Sequence, residues 1–165
     1  MQNTIAICIL FSISFVPTEP ALADWQYAHW GMTPSQVATA SSGAAAESAG
    51  QPGDQLDGYV IGDIGRYSSG EYHFRSIYYF DKRGLAMIEL TLNGAGYDEC
   101  IAVQLDLEGR YGRPYDRDGT SVTYGATWQD AKANNFVSIE TIGRGESATC
   151  SIRYRPLKTN SANGL

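Results

Sequence analysis

The sequence predicts an α+β fold in which two helices cover one face of an antiparallel sheet of about six strands. Several runs alternate polar and apolar residues, which indicates strands because successive side chains of a strand lie on opposite faces. Two other segments carry a helix start signal or an apolar stripe of helical period. The order is helix, three strands, helix, three strands, which predicts a two-layer sandwich with an α-βββ duplication.

The beginning of the chain, residues 1–23, is predicted to be a secretory signal peptide. An apolar run from Ile5 to Val16 is shorter than the ~20 residues that a membrane-spanning helix needs. Ala21-Leu22-Ala23 then fits the small-residue pattern that signal peptidase cuts, so Asp24 is the expected first residue of the mature chain. We therefore expect a periplasmic or secreted protein without stable membrane insertion after cleavage.

The rest of the chain is predicted to be a single α+β domain over residues 24–157, followed by a flexible polar tail over residues 158–165. The chain of 165 residues has 12 Lys and Arg against 18 Asp and Glu, a formal net charge of −6. Because nucleic-acid binding needs many Lys and Arg to neutralise phosphates, this balance argues against a nucleic-acid partner.

Residues 31–37 read Gly-Met-Thr-Pro-Ser-Gln-Val and predict the start of the first helix. Thr33 is suited to the N-cap, and Pro34 to the first helical position, where its missing N–H costs nothing. Gln36 stands three residues after Thr33 and completes a capping box. We expect a helix over residues 34–42, which ends before a glycine.

The first three strands are predicted after residues 41–57, which are small, polar and rich in glycine and read as a flexible connection. The strands cover residues 59–67, 71–80 and 85–92. In the second strand the alternation places Tyr72, Phe74, Tyr78 and Phe80 on one face and His73, Arg75 and Tyr79 on the other.

The second helix is predicted over residues 98–111, where Cys100, Val103, Leu107 and Tyr111 form one apolar stripe. Three more strands are expected over residues 121–128, 136–142 and 147–155. In the last strand, alternation turns Ala148, Cys150, Ile152 and Tyr154 inward, and Thr149, Ser151, Arg153 and Arg155 outward.

Cys100 and Cys150 are predicted to form a disulfide bond. Signal removal takes Cys8 with it, and two cysteines in an exported chain most simply pair. A metal pair is the alternative, but two thiolates without nearby histidines make a poor zinc site. Both cysteines are predicted to face the space between helices and sheet, so the bond would join the second helix to the last strand.

Two resemblances accompany these features. Gly31-Met32-Thr33-x-x-Gln36-Val37 resembles the helix start of β-lactamase inhibitor proteins and of the small lipoproteins of the outer-membrane assembly machinery. Over most of the mature chain, "DWQYAHWGMTPSQV", "YYFDKRGLAMIEL" and "CSIRYRPL" together resemble a group of uncharacterised exported proteins of proteobacteria. The first two groups bind protein partners and are not enzymes, so the resemblance implies a binding function and an α+β fold.

Catalytic motifs are missing from the sequence, which contains no Gly-x-Ser-x-Gly elbow, His-Glu-x-x-His pair or phosphate-binding loop. We therefore expect no catalytic residue, no cofactor and no metal ion. Acidic pairs suited to a hydrolase do occur, at Asp54 and Asp57, Asp98 and Glu99, and Asp116 and Asp118. They lie in predicted turns and helix starts, where acidic residues ordinarily form caps.

The outward sheet face is the predicted binding surface. It carries aromatic and basic side chains of the kinds that are enriched in protein interfaces. The alternative is a solvated face whose aromatic side chains shield strand pairs. The predicted face consists of His73, Arg75, Tyr79, Met87, Arg153 and Arg155.

Taken together, these features predict an exported, non-catalytic binding module with a protein or cell-envelope partner. Two alternatives stay open at the level of sequence. One is a periplasmic hydrolase whose carboxylates the sequence does not pair, and the other is a structural protein of the envelope.

Overall fold

The computed structural model describes residues 24–48, 55–92 and 94–157. The predicted signal peptide and the predicted tail lie outside the described residues. The two α-helices are α1 (Pro34–Ala40) and α2 (Tyr97–Tyr111), and a short 3-10 turn spans Gly145–Ser147. The strands are β1 (Asp24–Trp25), β2 (Ala28–His29), β3 (Ala45–Glu47), β4 (Gln55–Leu56), β5 (Tyr59–Ser69), β6 (Tyr72–Asp81), β7 (Gly84–Leu92), β8 (Asp116–Gly119), β9 (Thr123–Asp130), β10 (Asn135–Ile142) and β11 (Thr149–Pro156).

Nine strands form one antiparallel sheet in the order β3-β5-β6-β7-β11-β10-β9-β8, with β4 paired to β5 alone. The strands β5, β6 and β7 follow one another as one meander, and β8 to β11 follow as a second. The two meanders meet where β7 pairs antiparallel with β11. A separate two-stranded pair joins β1 to β2.

The prediction of a six-stranded sheet under two helices is wrong. Strands make up 52% of the described residues and helices 20%, so the fold is mostly β although it remains broadly α+β. The six predicted strands are present as β5, β6, β7, β9, β10 and β11, whereas β3, β4 and β8 were not predicted. These three strands have two to four residues, which is too few to show an alternation of polar and apolar residues. They are strands because they pair with longer neighbouring strands.

The main hydrophobic core lies between the sheet and the two helices. Val37 of α1 and Cys100 of α2 are both fully buried in this core. The predicted capping box of α1 is present, since the Thr33 hydroxyl accepts from the Gln36 N–H and the Gln36 side chain accepts from the Thr33 N–H. We call the sheet face toward this core the inner face and the opposite one the outer face.

The segment before α1 docks on the start of β7. The Gly31 N–H donates to the Leu85 carbonyl at 3.0 Å, and the Leu85 N–H donates to the Met32 carbonyl at 2.8 Å. Gly84 has a φ of 109°, and a Cβ atom there would overlap the carbonyl oxygen of Gly31. A side chain at position 84 would therefore push the N-terminal segment away from the sheet.

The turn of the β4–β5 hairpin reaches over the outer face, where Asp57 contacts Arg155 of β11. Its turn, Asp57-Gly58, has positive φ at both residues, as a type I′ turn requires. A bulge interrupts the pairing of β5 with β6 between Ile61 and Asp63. Because bulges bend the strand that carries them, the bulge accounts for the bend that brings the β4–β5 turn over the outer face, while Val60 and Ile61 stay paired with β6. We call residues 55–61 the covering hairpin.

A disulfide bond joins Cys100 of α2 to Cys150 of β11, with the two Cα atoms 5.7 Å apart. This confirms the predicted bond and its predicted place between the helix layer and the last strand. The bond closes a separation of 50 residues and connects the crossover helix to the centre of the sheet.

We expect the Cys100→Ser, Cys150→Ser double variant to lose about 2–5 kcal/mol of unfolding free energy, because the open chain gains conformational entropy when unfolded. Urea unfolding of the variant, of the wild type and of the reduced wild type measures this loss. Reduced wild type is the matched control and should agree with the double variant. A difference between oxidised protein and variant within about 0.5 kcal/mol would contradict the stabilising role.

Asp63 is a fully buried carboxylate on the inner side of β5. Neither of its oxygens has a hydrogen-bond partner among the described residues. Glu47 of β3 and Tyr78 of β6 are its register partners on the two sides, and the Tyr78 hydroxyl is 2.6 Å from that of Tyr27. Burial, and then the charge of Glu47, raise the pKa of Asp63 to about 6.

This raised pKa predicts that stability falls as pH rises. The folded state keeps the Asp63 proton up to about pH 6, whereas an unfolded aspartate loses it near its ordinary value of 3.8. The contribution of Asp63 is present below about pH 4 and is lost on the way to about pH 6, by up to roughly 3 kcal/mol. Unfolding experiments across this window should show that slope in the wild type and in the exposed-carboxylate control Asp116→Asn, but not in Asp63→Asn. An unchanged slope in Asp63→Asn would refute the assignment.

Candidate functional site

The structure places the six residues of the predicted binding surface on the outer face, opposite the helices. His73, Arg75 and Tyr79 belong to β6 and alternate with side chains of the main core. Met87 is the register partner of Tyr79 on β7, and the arginines of β11 continue the face across the sheet. Strand alternation therefore assigned the residues to the correct face.

The expected exposure of that face is wrong for two of the six residues. Tyr79 is 4% exposed and Met87 is fully buried. Together with Ile77 they form a second, smaller core on the outer face, against which residues of the covering hairpin pack. The packing residues are Leu56, Tyr59 and Ile61. Leu56 lies in residues 41–57, which were predicted to be a flexible connection, whereas Tyr59 and Ile61 lie in the predicted strand over residues 59–67. The hairpin that joins the two segments was not predicted.

The covering hairpin extends to β11. Asp57 at its turn accepts a hydrogen bond from the Arg155 guanidinium at 3.0 Å, although β5 and β11 are separated by two strands in the sheet. Burial, and then the charge of Glu89, raise the pKa of Tyr79 to about 12. The Tyr79 hydroxyl is therefore neutral at physiological pH, and this half of the outer face is a packed layer.

Arg153 is the centre of a charged group beside the covering hairpin. Its Nε donates to Glu89 Oε2 at 2.6 Å, and its Nη1 lies 3.4 Å from Glu140 Oε2. Glu89 and Arg153 are register partners on β7 and β11, and Glu140 belongs to β10. Glu89 is only 8% exposed, so the guanidinium compensates a nearly buried carboxylate. We call Glu89, Arg153 and Glu140 the charged triad.

His73 and Arg75 occupy the far end of the outer face and are exposed. The His73 Nδ1 is 2.9 Å from the Ser68 hydroxyl, across the pairing of β6 with β5. Arg75 forms no ion pair with a described residue and stands opposite Arg66 in the register. This end of the face is therefore basic.

An open groove occupies the outer face between the charged triad and the outermost strand β8, with a volume of about 410 Å³. Small residues form its floor, namely Gly125, Thr127 and Ser138, and the Asp118 carboxylate occupies the space that a Cβ atom at Gly125 would need. Glu140 and Arg153 line one side, and Asp118 of β8 lines the other. We call this feature the outer groove.

Of the groove residues, sequence reasoning named Arg153 as part of the surface, and Asp118 only as one of a pair of acidic residues. Thr127, Ser138 and Glu140 were missed as members of the surface. The alternation along residues 136–142 could have identified two of these residues, because it places Ser138 and Glu140 on the same face of β10. Alternation does not show whether another segment covers that face.

Among the described acidic pairs considered for hydrolysis, Asp98 and Glu99 line one open pocket of about 410 Å³ together with Glu146. Glu99 accepts from the Gly96 N–H at 2.7 Å in the first turn of α2, and Asp57 pairs with Arg155. Asp116 and Asp118 lie on the exposed strand β8. Asp54 lies outside the described residues.

Comparison with protein-family models, curated proteins and solved structures finds no match for this chain. The resemblances carried by residues 31–37 and by the longer motifs therefore stay predictions. Within residues 24–48, 55–92 and 94–157, no helix is long and apolar enough to cross a membrane. The same residues include no group of three or more His, Cys, Asp or Glu side chains placed to hold a metal ion.

The charged triad predicts a difference between two arginine–carboxylate contacts of the outer face. Arg153→Met should cost roughly 2–3 kcal/mol of unfolding free energy, because Glu89 would be left charged at 8% exposure without its partner. The double variant Glu89→Leu, Arg153→Met should recover most of this loss, because it removes the orphaned charge.

Asp57→Asn is the matched control, since it breaks the exposed pair with Arg155 and keeps a residue type that tolerates positive φ. It should cost less than about 1 kcal/mol. Chemical denaturation of the three variants measures these differences. Equal losses in Arg153→Met and Asp57→Asn would show that the triad does not stabilise the outer face.

Proposed function

We propose that this protein is an exported, non-catalytic binding module whose outer groove takes a segment of a protein partner. The observation that carries the proposal is the outer groove itself. The covering hairpin seals one part of the outer face, and another part forms an open groove of about 410 Å³ with a floor of small residues. Concave surfaces with a few fixed polar groups are the usual form of binding sites.

The charges around the groove indicate the chemistry of the partner. Arg153 is already compensated by Glu89, so Glu140 and Asp118 leave the groove with an excess of negative charge. The hydroxyl groups of Thr127 and Ser138 offer hydrogen bonds from the floor. A protein segment that places a lysine or arginine side chain into the groove would complement this arrangement.

Export to the periplasm or the medium is part of the proposal. It is supported by the apolar run and small-residue site of residues 1–23 in the sequence. The Cys100–Cys150 bond is compatible with it, because disulfide bonds persist in oxidising compartments.

The test is a comparison of bait proteins in affinity capture from an envelope extract. Ser138→Trp fills the floor of the outer groove, where the side chain points away from the core. Leu105→Trp is the matched control, because Leu105 is 60% exposed on α2, on the opposite side of the sheet. We expect a partner that wild type and Leu105→Trp retain equally and that Ser138→Trp loses by about tenfold or more.

Equal unfolding midpoints of the two variants would establish that both baits are folded. Retention of the same partner by Ser138→Trp at the wild-type level would place the binding surface outside the outer groove. Loss of the partner by Leu105→Trp alone would move the binding surface to the helix side.

A further inference from the structure

A second, smaller cleft opens on the inner face, in the gap between α2 and the ends of β5 and β6. Its volume is about 160 Å³. Aromatic side chains of the sheet line it, together with Asp106 and Arg110 of α2. The sheet residues are Tyr67, Tyr72, Phe74 and Tyr154. The whole thickness of the sheet separates this aromatic cleft from the outer groove, so the two sites are independent.

The size of the aromatic cleft limits what can enter it. An apolar cavity of about 150 Å³ holds a single benzene ring. A ligand group of that size has one six-membered ring or one compact branched centre. Tyr67 and Phe74 stack with their ring centroids 6.0 Å apart, and Tyr72 lies 6.3 Å from Phe74, so the rings form one continuous aromatic wall.

The charge around the cleft limits the ligand further. Burial raises the pKa of the Tyr72 hydroxyl, and the negative charges of Asp106, Glu71 and Glu99 raise it further. Arg110 is the one cation among the lining residues, and its guanidinium lies 5.4 Å from the centre of the Tyr111 ring. The charge of Arg110 acts on Tyr154, whereas the carboxylates act on Tyr72. The end of the cleft at Tyr72 is therefore its negative end, and a cation is favoured there.

We propose that the aromatic cleft binds an organic ammonium ion, held by the tyrosine and phenylalanine rings with Asp106 as its counter-charge. Aromatic rings attract cations through the negative charge of their faces, and this attraction is greatest for ammonium groups that shed water readily. A quaternary ammonium centre is compact enough for the cleft and carries an apolar surface of methyl groups. Several aromatic rings with a nearby carboxylate are the set of groups that recognises a quaternary ammonium ion.

The probe for the test is choline, and its matched control is the neutral isostere 3,3-dimethylbutan-1-ol, in which carbon replaces the charged nitrogen. Isothermal titration calorimetry of the full chain measures both affinities. The fluorescence of Trp25, whose ring is 5.0 Å from Tyr67, provides a second readout. We expect choline to bind about tenfold more tightly than the isostere, because only choline gains the cation–ring attraction.

Two variants separate the contributions of ring and charge. Tyr72→Leu keeps an apolar side chain and removes a ring, and Asp106→Asn removes the counter-charge. Each should weaken choline binding about fivefold or more, whereas the control Asp118→Asn on the outer face should leave it unchanged. Wild-type unfolding midpoints in all three variants would show that the effects are local.

The proposal is overturned if the neutral isostere binds as tightly as choline, or if neither variant weakens the binding of choline. Absence of binding up to about 20 mM choline overturns it as well. Loss of the partner captured through the outer groove would not affect this result, because the cleft is on the other side of the sheet.

Discussion

The antiparallel pairing of β7 with β11 is the contact on which the rest of the molecule depends. It joins two meanders that each have one face to bury and no second layer of their own. On the inner face, Leu90 and Ile152 are register partners and nearly fully buried beneath the helices. The disulfide bond fixes α2 to β11, so the crossover helix is held at the centre of the sheet. On the outer face the same pairing brings Glu89 beside Arg153.

The two faces of the sheet have different surroundings, and the candidate sites follow from this difference. On the inner face, the segment before α1 docks on Leu85 at the start of β7, and α2 lies over the second meander. The aromatic cleft is the space left beside α2. On the outer face, the bulge before Asp63 turns the covering hairpin over Tyr79 and Met87. The outer groove is the part that the hairpin does not reach.

Local patterns predicted the parts of the fold that local physics determines. The capping box at Thr33 and the apolar stripe that includes Cys100 located both helices, and alternation in β6 and β11 assigned each side chain to a face. The short strands could not be predicted, because β8, for example, is fully exposed and is a strand only through its pairing with β9. The burial of Tyr79 beneath the covering hairpin was not predicted either. Alternation specifies the face on which a side chain lies but not the segment that packs against that face.

Native-state hydrogen exchange tests most directly whether the β7–β11 pairing unites the molecule. We predict that the amide groups of β7 and β11 share the highest protection and exchange only through global unfolding. The amide groups of β8 and β3, at the two margins of the sheet, should exchange through smaller openings. Exchange of β11 through an opening that leaves β7 protected would contradict the central role of this pairing, because the two meanders would then be separate cooperative units.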